Sequence, residues 1–327
     1  MLKRILVPLD GSERAERGLA VAARLARGAG AELLLLRVVS LPPMKLAHYG
    51  EPAQIALAVI AAEREDADAY LKRLAASPVV EGVSVEPLAI EGHVTADILD
   101  TAREEACDLI VICTHGYSGF NQWRLGRVAS HVARHAPVPV LIVPARDEQP
   151  PAPVEEGSVR VLVTLDGSEL AEAAIAPALD VAHAAAPPER IAIHLLEVVD
   201  FFTAMMADEE RDKAESSAIG PEEQSLQIAR GYLDTIVRRI QQEHPGVAVT
   251  STAVLASDVA KTICTIADAH PGYDFVAMAT HGRGGLQRWA VGSITERVLH
   301  AIHHPLLIAR SSAAVEQDRK IAEAKAD

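Results

Sequence analysis

The sequence predicts an α/β protein made of two tandem doubly wound domains, each a five-stranded parallel sheet flanked by helices. Three observations lead there. The chain has 327 residues, a length that at ~150 residues per domain suits two separate cores. A segment near the amino terminus returns in the second half, where Ile5-Leu6-Val7-Pro8-Leu9-Asp10-Gly11-Ser12-Glu13 is matched by Val161-Leu162-Val163-Thr164-Leu165-Asp166-Gly167-Ser168-Glu169, an offset of 156. Within each copy, short β-branched runs alternate with longer Ala-rich helical stretches, the pattern of a parallel sheet with crossover helices.

Taken in order, copy one places strands at 3–9, 32–39, 83–90, 108–114 and 139–143, and copy two at 159–165, 190–198, 247–254, 274–280 and 305–309. Runs as uniformly apolar as Leu33 to Leu36 and Leu109 to Ile112 require helices on both faces of the sheet. The helix after strand one starts at Ser12 or Ser168, whose hydroxyl can accept from a first-turn N–H, while Glu13 or Glu169 suits the positive end of the helix dipole. Gly28-Ala29-Gly30 ends that helix; it precedes strand two instead of following strand one, so it is no dinucleotide fingerprint. Segments 41–62 and 201–222 follow strand two in each copy and are expected to reach over the carboxyl rim as lids or partner surfaces. Thr114-His115-Gly116 returns as Thr280-His281-Gly282, and Leu125-Gly126 as Val291-Gly292, at an offset of 166, so copy two has gained ten residues between landmarks. The expected boundaries are 1–146 for the first domain, 147–157 for a Pro- and acid-rich linker, 158–311 for the second domain and 312–327 for a charged tail.

Composition narrows the function. The chain is 49% hydrophobic and 23% charged, that of an ordinary globular protein. Its net charge is −14, divided as −3 over 1–150 and −11 over 151–327. No basic patch offsets that field, so a nucleic-acid partner is not expected. Cys107, Cys113 and Cys264 make neither a disulfide framework nor a CxxC pair. No 18 apolar residues run together, so no membrane partner is expected, and Met1 leads into Ile5-Leu6-Val7-Pro8 without a signal peptide's apolar stretch; the expected location is the cytoplasm. GxxxxGK[ST], HExxH and GxSxG are absent from the sequence.

Asp10 and Asp166 follow strand one at the carboxyl edge, where open α/β sheets bind ligands, though Asp-Gly is also ordinary turn chemistry. After strand four, copy two reads Ala279-Thr280-His281-Gly282-Arg283-Gly284-Gly285 and continues to Val291-Gly292-Ser293-Ile294. The glycines allow close backbone approach to a ligand, and Gly292-Ser293 at a helix start offers N–H groups and a hydroxyl to an anion. That is a phosphate site in outline, and also the outline of a capped glycine-rich connection. His115 and His281 are the best general-base candidates, but they belong to a turn the repeat explains structurally. His303-His304 lacks a Cys, Asp or Glu at metal-ligand spacing and reads as packing or capping. Trp123 and Trp289, between the glycines, read as hydrophobic locks on the loop or at the domain contact, with ligand stacking as the alternative.

These residues resemble the universal stress proteins, whose ATP-binding members carry a glycine, two residues, a glycine, nine residues and then Gly-Ser or Gly-Thr. Copy two matches from Gly282 through Gly292-Ser293, with Ala279 in place of the first glycine. The resemblance covers nearly the whole chain as two tandem domains, because the strand-one Asp, Thr-His-Gly and a final Pro-Val-Leu-Ile-Val or Pro-Leu-Leu-Ile-Ala strand occur in order in both copies. It implies an adenine-nucleotide α-hydrolase-like fold and ATP as ligand, with Mg²⁺ or Mn²⁺ on the phosphates. In copy two it implies that Asp166 contacts the adenosine end, Val198 the adenine, Gly282 and Gly292 the ribose and phosphates, and Ser293 and the Ile294 N–H the phosphate oxygens. Ala279 belongs to the same set. The copy-one positions are Asp10, Val38, Gly116, Gly126 and Arg127, where Cys113 stands for the first glycine and Arg127 for the hydroxyl residue; binding is therefore expected mainly in copy two. No catalytic or metal-ligating residue is implied.

The family's pairing along its last strand implies self-association through 139–143 and 305–309, as an intramolecular pseudo-dimer with further dimerisation open. The expected role is an ATP-binding stress-response module read by a protein partner of unknown identity. Two other readings stay open: a slow metal-dependent ATPase or phosphotransferase, for which no water-activating carboxylate stands beside the glycine loop, and a nucleotide-free scaffold.

Overall fold

The computed structural model describes residues 1–40, 53–114, 126–144, 158–202, 205, 220–269, 272–280 and 292–311. The chain divides into two compact units, Met1–Asp147 and Glu148–Asp327. In the first, β1 (Arg4–Pro8), α1 (Glu13–Ala29), β2 (Glu32–Ser40), α2 (Ala53–Ala75), β3 (Val85–Gly92), α3 (Val94–Glu104), β4 (Leu109–Cys113), α4 (Arg127–His135) and β5 (Val140–Val143) follow one another. Their strands are parallel in the order 3-2-1-4-5. In the second, β6 (Val159–Leu165), α5 (Glu169–Glu172), α6 (Ile175–Ala185), β7 (Ile191–Asp200), α7 (Pro221–Glu243), β8 (Ala248–Ala256), α8 (Val259–Asp268), β9 (Phe275–Ala279), α9 (Ser293–Ala301) and β10 (Leu306–Ala309) give the order 8-7-6-9-10, again parallel. The ten expected strands are all present, with β6 at its expected 159–165. The chain is an α/β protein of two tandem doubly wound copies.

Burial follows position in the sheet. β4, β5, β9 and β10 are buried along their whole length, as strands covered on both faces should be. β3, an edge strand, has exposed positions and carries Pro87, whose missing N–H an edge tolerates. The strand pairing also locates the ten extra residues of copy two. Leu6 pairs with Leu34 and its counterpart Leu162 with His194, so the offset rises from 156 to 160. Leu33 pairs with Val85 and Ile193 with Val249, an offset of 164, and Ile5 with Leu109 against Val161 with Phe275 brings it to 166. The first gain coincides with a change of helix ending: Gly30, left-handed at φ 67°, closes α1 directly before β2, whereas α6 gives way to Pro187 and a 3₁₀ turn, Pro188–Arg190.

Both first helices are capped as expected, Ser12 Oγ accepting from the Ala15 N–H and Ser168 Oγ from the Ala171 N–H, each at 3.2 Å. They then diverge. α1 runs unbroken for 17 residues, but α5 stops after 4. Pro177, in the first turn of α6, has no N–H for the Ala173 carbonyl and crowds it, so the helix is cut at Ala173-Ala174.

Some expectations fall elsewhere. The proposed lid 41–62 is helical from Ala53, in α2, and 201–222 ends in the first turn of α7. Residues 41–52, 203–204 and 206–219, the linker 147–157 and the tail 312–327 lie outside the described residues, as do Trp123 and Trp289. Among the described residues no helix is long and apolar enough to cross a membrane.

Candidate functional site

A doubly wound sheet opens a crevice at the carboxyl ends of its strands where strand order reverses. In the second unit the chain moves from β6 outward to β7 and β8, then returns to the other side of β6 with β9, so the reversal lies between β6 and β9. A cavity of about 170 Å³ sits there. Its walls come from the end of β6 (Thr164, Leu165, Asp166), from Leu196 and Val198 of β7, from the end of β9 (Met278, Ala279, Thr280) and from Gly292 to Thr295 at the start of α9, with Ala171, Val259 and Ile263 completing the lining.

Six residues singled out in the sequence, Asp166, Val198, Ala279, Gly292, Ser293 and Ile294, therefore meet around one cavity. Gly282 is outside the described residues, as is His281. Asp166 shapes its own turn: Oδ1 accepts from the Ser168 N–H at 3.1 Å and from Ser168 Oγ at 2.6 Å, an arrangement typical of aspartate in tight turns. On β7, the alternation of side chains sends Leu196 and Val198 into the cavity and Glu197 to the opposite face.

The start of α9 is set by a contact between backbones. Gly292 donates its N–H to the Thr280 carbonyl at 2.7 Å, tying the helix to the end of β9. A Cβ on Gly292 would lie 3.1 Å from that oxygen, while its φ of −67° is open to any residue; close approach, not backbone strain, selects glycine. The first helical bond runs from the Glu296 N–H to the Gly292 carbonyl. The N–H groups of Ser293, Ile294 and Thr295 thus have no partner within the helix and form its positive end, an anion-seeking array. The Ser293 side chain is exposed beside them. Thr295, missed in the sequence, is buried and donates its hydroxyl to the Ala279 carbonyl at 3.0 Å. Two flanking helices are further joined where Arg297 of α9 places Nη2 2.9 and 2.7 Å from the carboxylate oxygens of Asp258, the N-cap of α8.

The first unit repeats the backbone frame with different side chains. Asp10 Oδ1 accepts from the Ser12 N–H at 3.0 Å and from Ser12 Oγ at 2.6 Å. Gly126 donates to the Thr114 carbonyl at 2.7 Å and caps α4. Val38 lies on β2, Arg127 is exposed in the first turn of α4, and Ala129 stands where Thr295 does. Cys113, in the place of Ala279, is buried with Sγ 3.8 Å from the Ala15 carbonyl, and burial pushes its thiol up to about 11. Gly116 and His115 are outside the described residues.

His303 and His304 pack as expected, but against a carboxylate that sequence spacing did not supply. Asp268, at the end of α8, is 3.4 Å from His303 Nδ1 and 3.2 Å from His304 Nε2, and His304 Nδ1 lies 3.0 Å from the Tyr273 carbonyl.

Comparison with known proteins agrees with this architecture. The universal stress protein family model matches residues 1–144 and again 159–310. A universal stress protein of Mycobacterium tuberculosis is 30% identical over 212 residues, 63% of this chain and 62% of the relative, so the chain spans just under two thirds of that relative's length. One from Thermus aquaticus is 35% identical over 144 residues, 44% of this chain and 99% of the relative. Among solved structures, a universal stress protein from Archaeoglobus fulgidus shares the fold with a TM-score of 0.64 at 20% identity, covering 94% of this chain and 98% of its own. With a family match in each half and the doubly wound sheet in each unit, the chain belongs to the universal stress protein family.

Proposed function

We propose that the second domain binds an adenine nucleotide, ATP above all, and that the chain is a nucleotide-responsive stress module and not a dedicated catalyst. The observation that carries this reading is the convergence of Asp166, Val198, Ala279, Gly292, Ser293 and Ile294, from separate stretches of sequence, on one cavity. Val198, Leu196, Met278, Val259 and Ile263 offer an apolar bed suited to a purine face. Asp166, on the cavity wall, would accept from a nucleoside hydroxyl. The N–H groups of Ser293, Ile294 and Thr295 with the Ser293 hydroxyl would hold phosphate oxygens at the helix's positive end. A divalent ion, Mg²⁺ or Mn²⁺, would neutralise phosphate charge when bound. Gly282 belongs to the same proposal.

In the first domain, exposed Arg127 replaces the Ser293 hydroxyl and buried Cys113 replaces Ala279, so weaker or no binding is proposed there. Nucleotide contacts would stabilise one geometry at the carboxyl rim and so shift the population of a surface read by another protein. A cytoplasmic role and self-association along the last strands belong to the same reading; sedimentation of the purified chain with and without ATP measures further dimerisation between chains.

The test is calorimetric titration of the full chain with ATP, ADP, AMP and cAMP, with and without Mg²⁺, beside identification of any nucleotide released on denaturation. One equivalent per chain, weakened by Asp166→Ala and Ser293→Ala, supports the proposal. No heat, no thermal shift and no released nucleotide would overturn it in favour of a scaffold.

A further inference from the structure

We propose that Tyr232 and Arg239 of α7 are positioning residues for the candidate nucleotide site, holding α5 through Glu172 and thereby fixing the turn that carries Asp166; this rests on the reading of that site given above. α5 is a single turn, cut from α6 at Ala173-Ala174, and one turn of helix does not sustain itself. Yet the site depends on it: Asp166 is bonded to its cap, Ser168, and Ala171 both donates to Ser168 Oγ and lines the cavity. Its last residue supplies the anchor. Tyr232 Oη donates to Glu172 Oε1 at 3.1 Å, and Arg239 Nη2 donates to Glu172 Oε2 at 2.6 Å. Both carboxylate oxygens are thus held by a helix 60 and 67 residues further along the chain.

The first unit provides the contrast. There α1 is continuous, so the Asp10 turn is carried by 17 residues of helix. Tyr70 stands against Glu16, the counterpart of Glu172, and near Asp10, so the tyrosine–glutamate pairing recurs; the difference is that its ring is covered by the guanidinium groups of Arg37 and Arg73, 5.1 and 5.3 Å from the ring centroid. The strand position of Arg37 is taken in the second unit by Glu197, which is 3% exposed. Burial first, then Glu172, Glu197 and Asp166, push the Tyr232 phenol above its ordinary range. The phenol is a donor throughout the neutral range, as an ordinary tyrosine is, and the Asp166 carboxylate lies within its electrostatic reach.

The test titrates the full chain with adenosine, AMP, ADP and ATP. Because Asp166 serves the nucleoside end, Tyr232→Phe should weaken all four by one common factor of about 3 to 10, the loss of part of one charge-assisted hydrogen bond. Ser293→Ala should instead cost more as phosphates are added. In an Asp166→Asn background, followed with ATP because its phosphate contacts keep binding measurable, Tyr232→Phe should add no further loss. Arg239→Ala, at an exposed position, should repeat the uniform loss if Tyr232→Phe does not fold, and Arg239→Lys should restore affinity. Wild-type affinity in Tyr232→Phe, a loss that grows with phosphate number, or an undiminished loss in the Asp166→Asn background would each overturn the inference. Failure of the wild-type chain to bind any of the four would remove the site reading itself, whereas binding unaffected by these variants removes only the positioning role.

Discussion

Replacing Gly292 by alanine adds one carbon where α9 is tied to β9, and its effects on folding and binding should separate. The backbone at φ −67° accepts alanine without strain. The new Cβ would lie 3.1 Å from the Thr280 oxygen, so helix and carbonyl must part by a few tenths of an ångström. The Gly292 N–H bond to that oxygen, now 2.7 Å, can lengthen to about 3.0 Å and remain a hydrogen bond. Alanine also removes unfolded-state freedom worth about 0.4–1 kcal/mol, which offsets much of the crowding. The expected change in Tm is therefore within ~4 °C, the span of about 1 kcal/mol for a domain of this size. Binding has no such offset, because the Ser293, Ile294 and Thr295 N–H groups move together with the displaced turn. Losing one charge-assisted bond to phosphate is worth about 1.5–3 kcal/mol, or roughly 10- to 100-fold in affinity. Calorimetry with ATP should show that loss in Gly292→Ala and a larger one in Gly292→Val, while Gly126→Val leaves ATP binding near that of the wild type. Unchanged affinity in Gly292→Val, or equal losses from both glycines, would refute the reasoning.

Thr295→Val removes the buried hydroxyl bond to the Ala279 carbonyl without changing shape, and should lower stability by about 1–2 kcal/mol in denaturant melts. Asp258, as N-cap bonded by the Lys261 N–H and by Arg297, has its carboxyl held below the ordinary range. Its stabilisation is therefore complete above the unfolded value, about 3.9, and is lost as pH falls through the lower folded value; Arg297→Ala should flatten the acid limb of a stability–pH profile. Cys113 and Cys107, whose thiols burial pushes up to about 11, should resist alkylation at pH 8 in the folded chain and react on unfolding, as mass spectrometry would show.

Much of the candidate site was legible because its turn and cap chemistry is local. The Asp166-Gly167-Ser168 turn and the Gly292-Ser293 helix start each carry a signature within a few neighbouring residues, although the second is tied in space to Thr280, and the same spacing in copy one exposed the missing hydroxyl at Arg127. Thr295 escaped notice because a threonine inside a helix becomes informative only when its hydroxyl meets the Ala279 carbonyl, 16 residues earlier. Asp268 was missed as the partner of His303 and His304 for the same reason: it ends one helix and they follow another. The cut after α5 has a visible sign in Pro177, whose position relative to Ala173 matters only once the helix before it is in place.

The sequence by itself determined the duplication, the alternation of strand and helix, and the polar groups that follow the first and fourth strands of each copy, because periodicity and turn chemistry act over a few residues. Only the tertiary structure decided that β9 returns beside β6, bringing Asp166, Val198 and the start of α9 around one cavity, and that α7 reaches back to hold Glu172. The physical reason is that a repeat of two or 3.6 residues specifies which face is buried, whereas the neighbours of that face are chosen by how the crossover helices pack on the sheet.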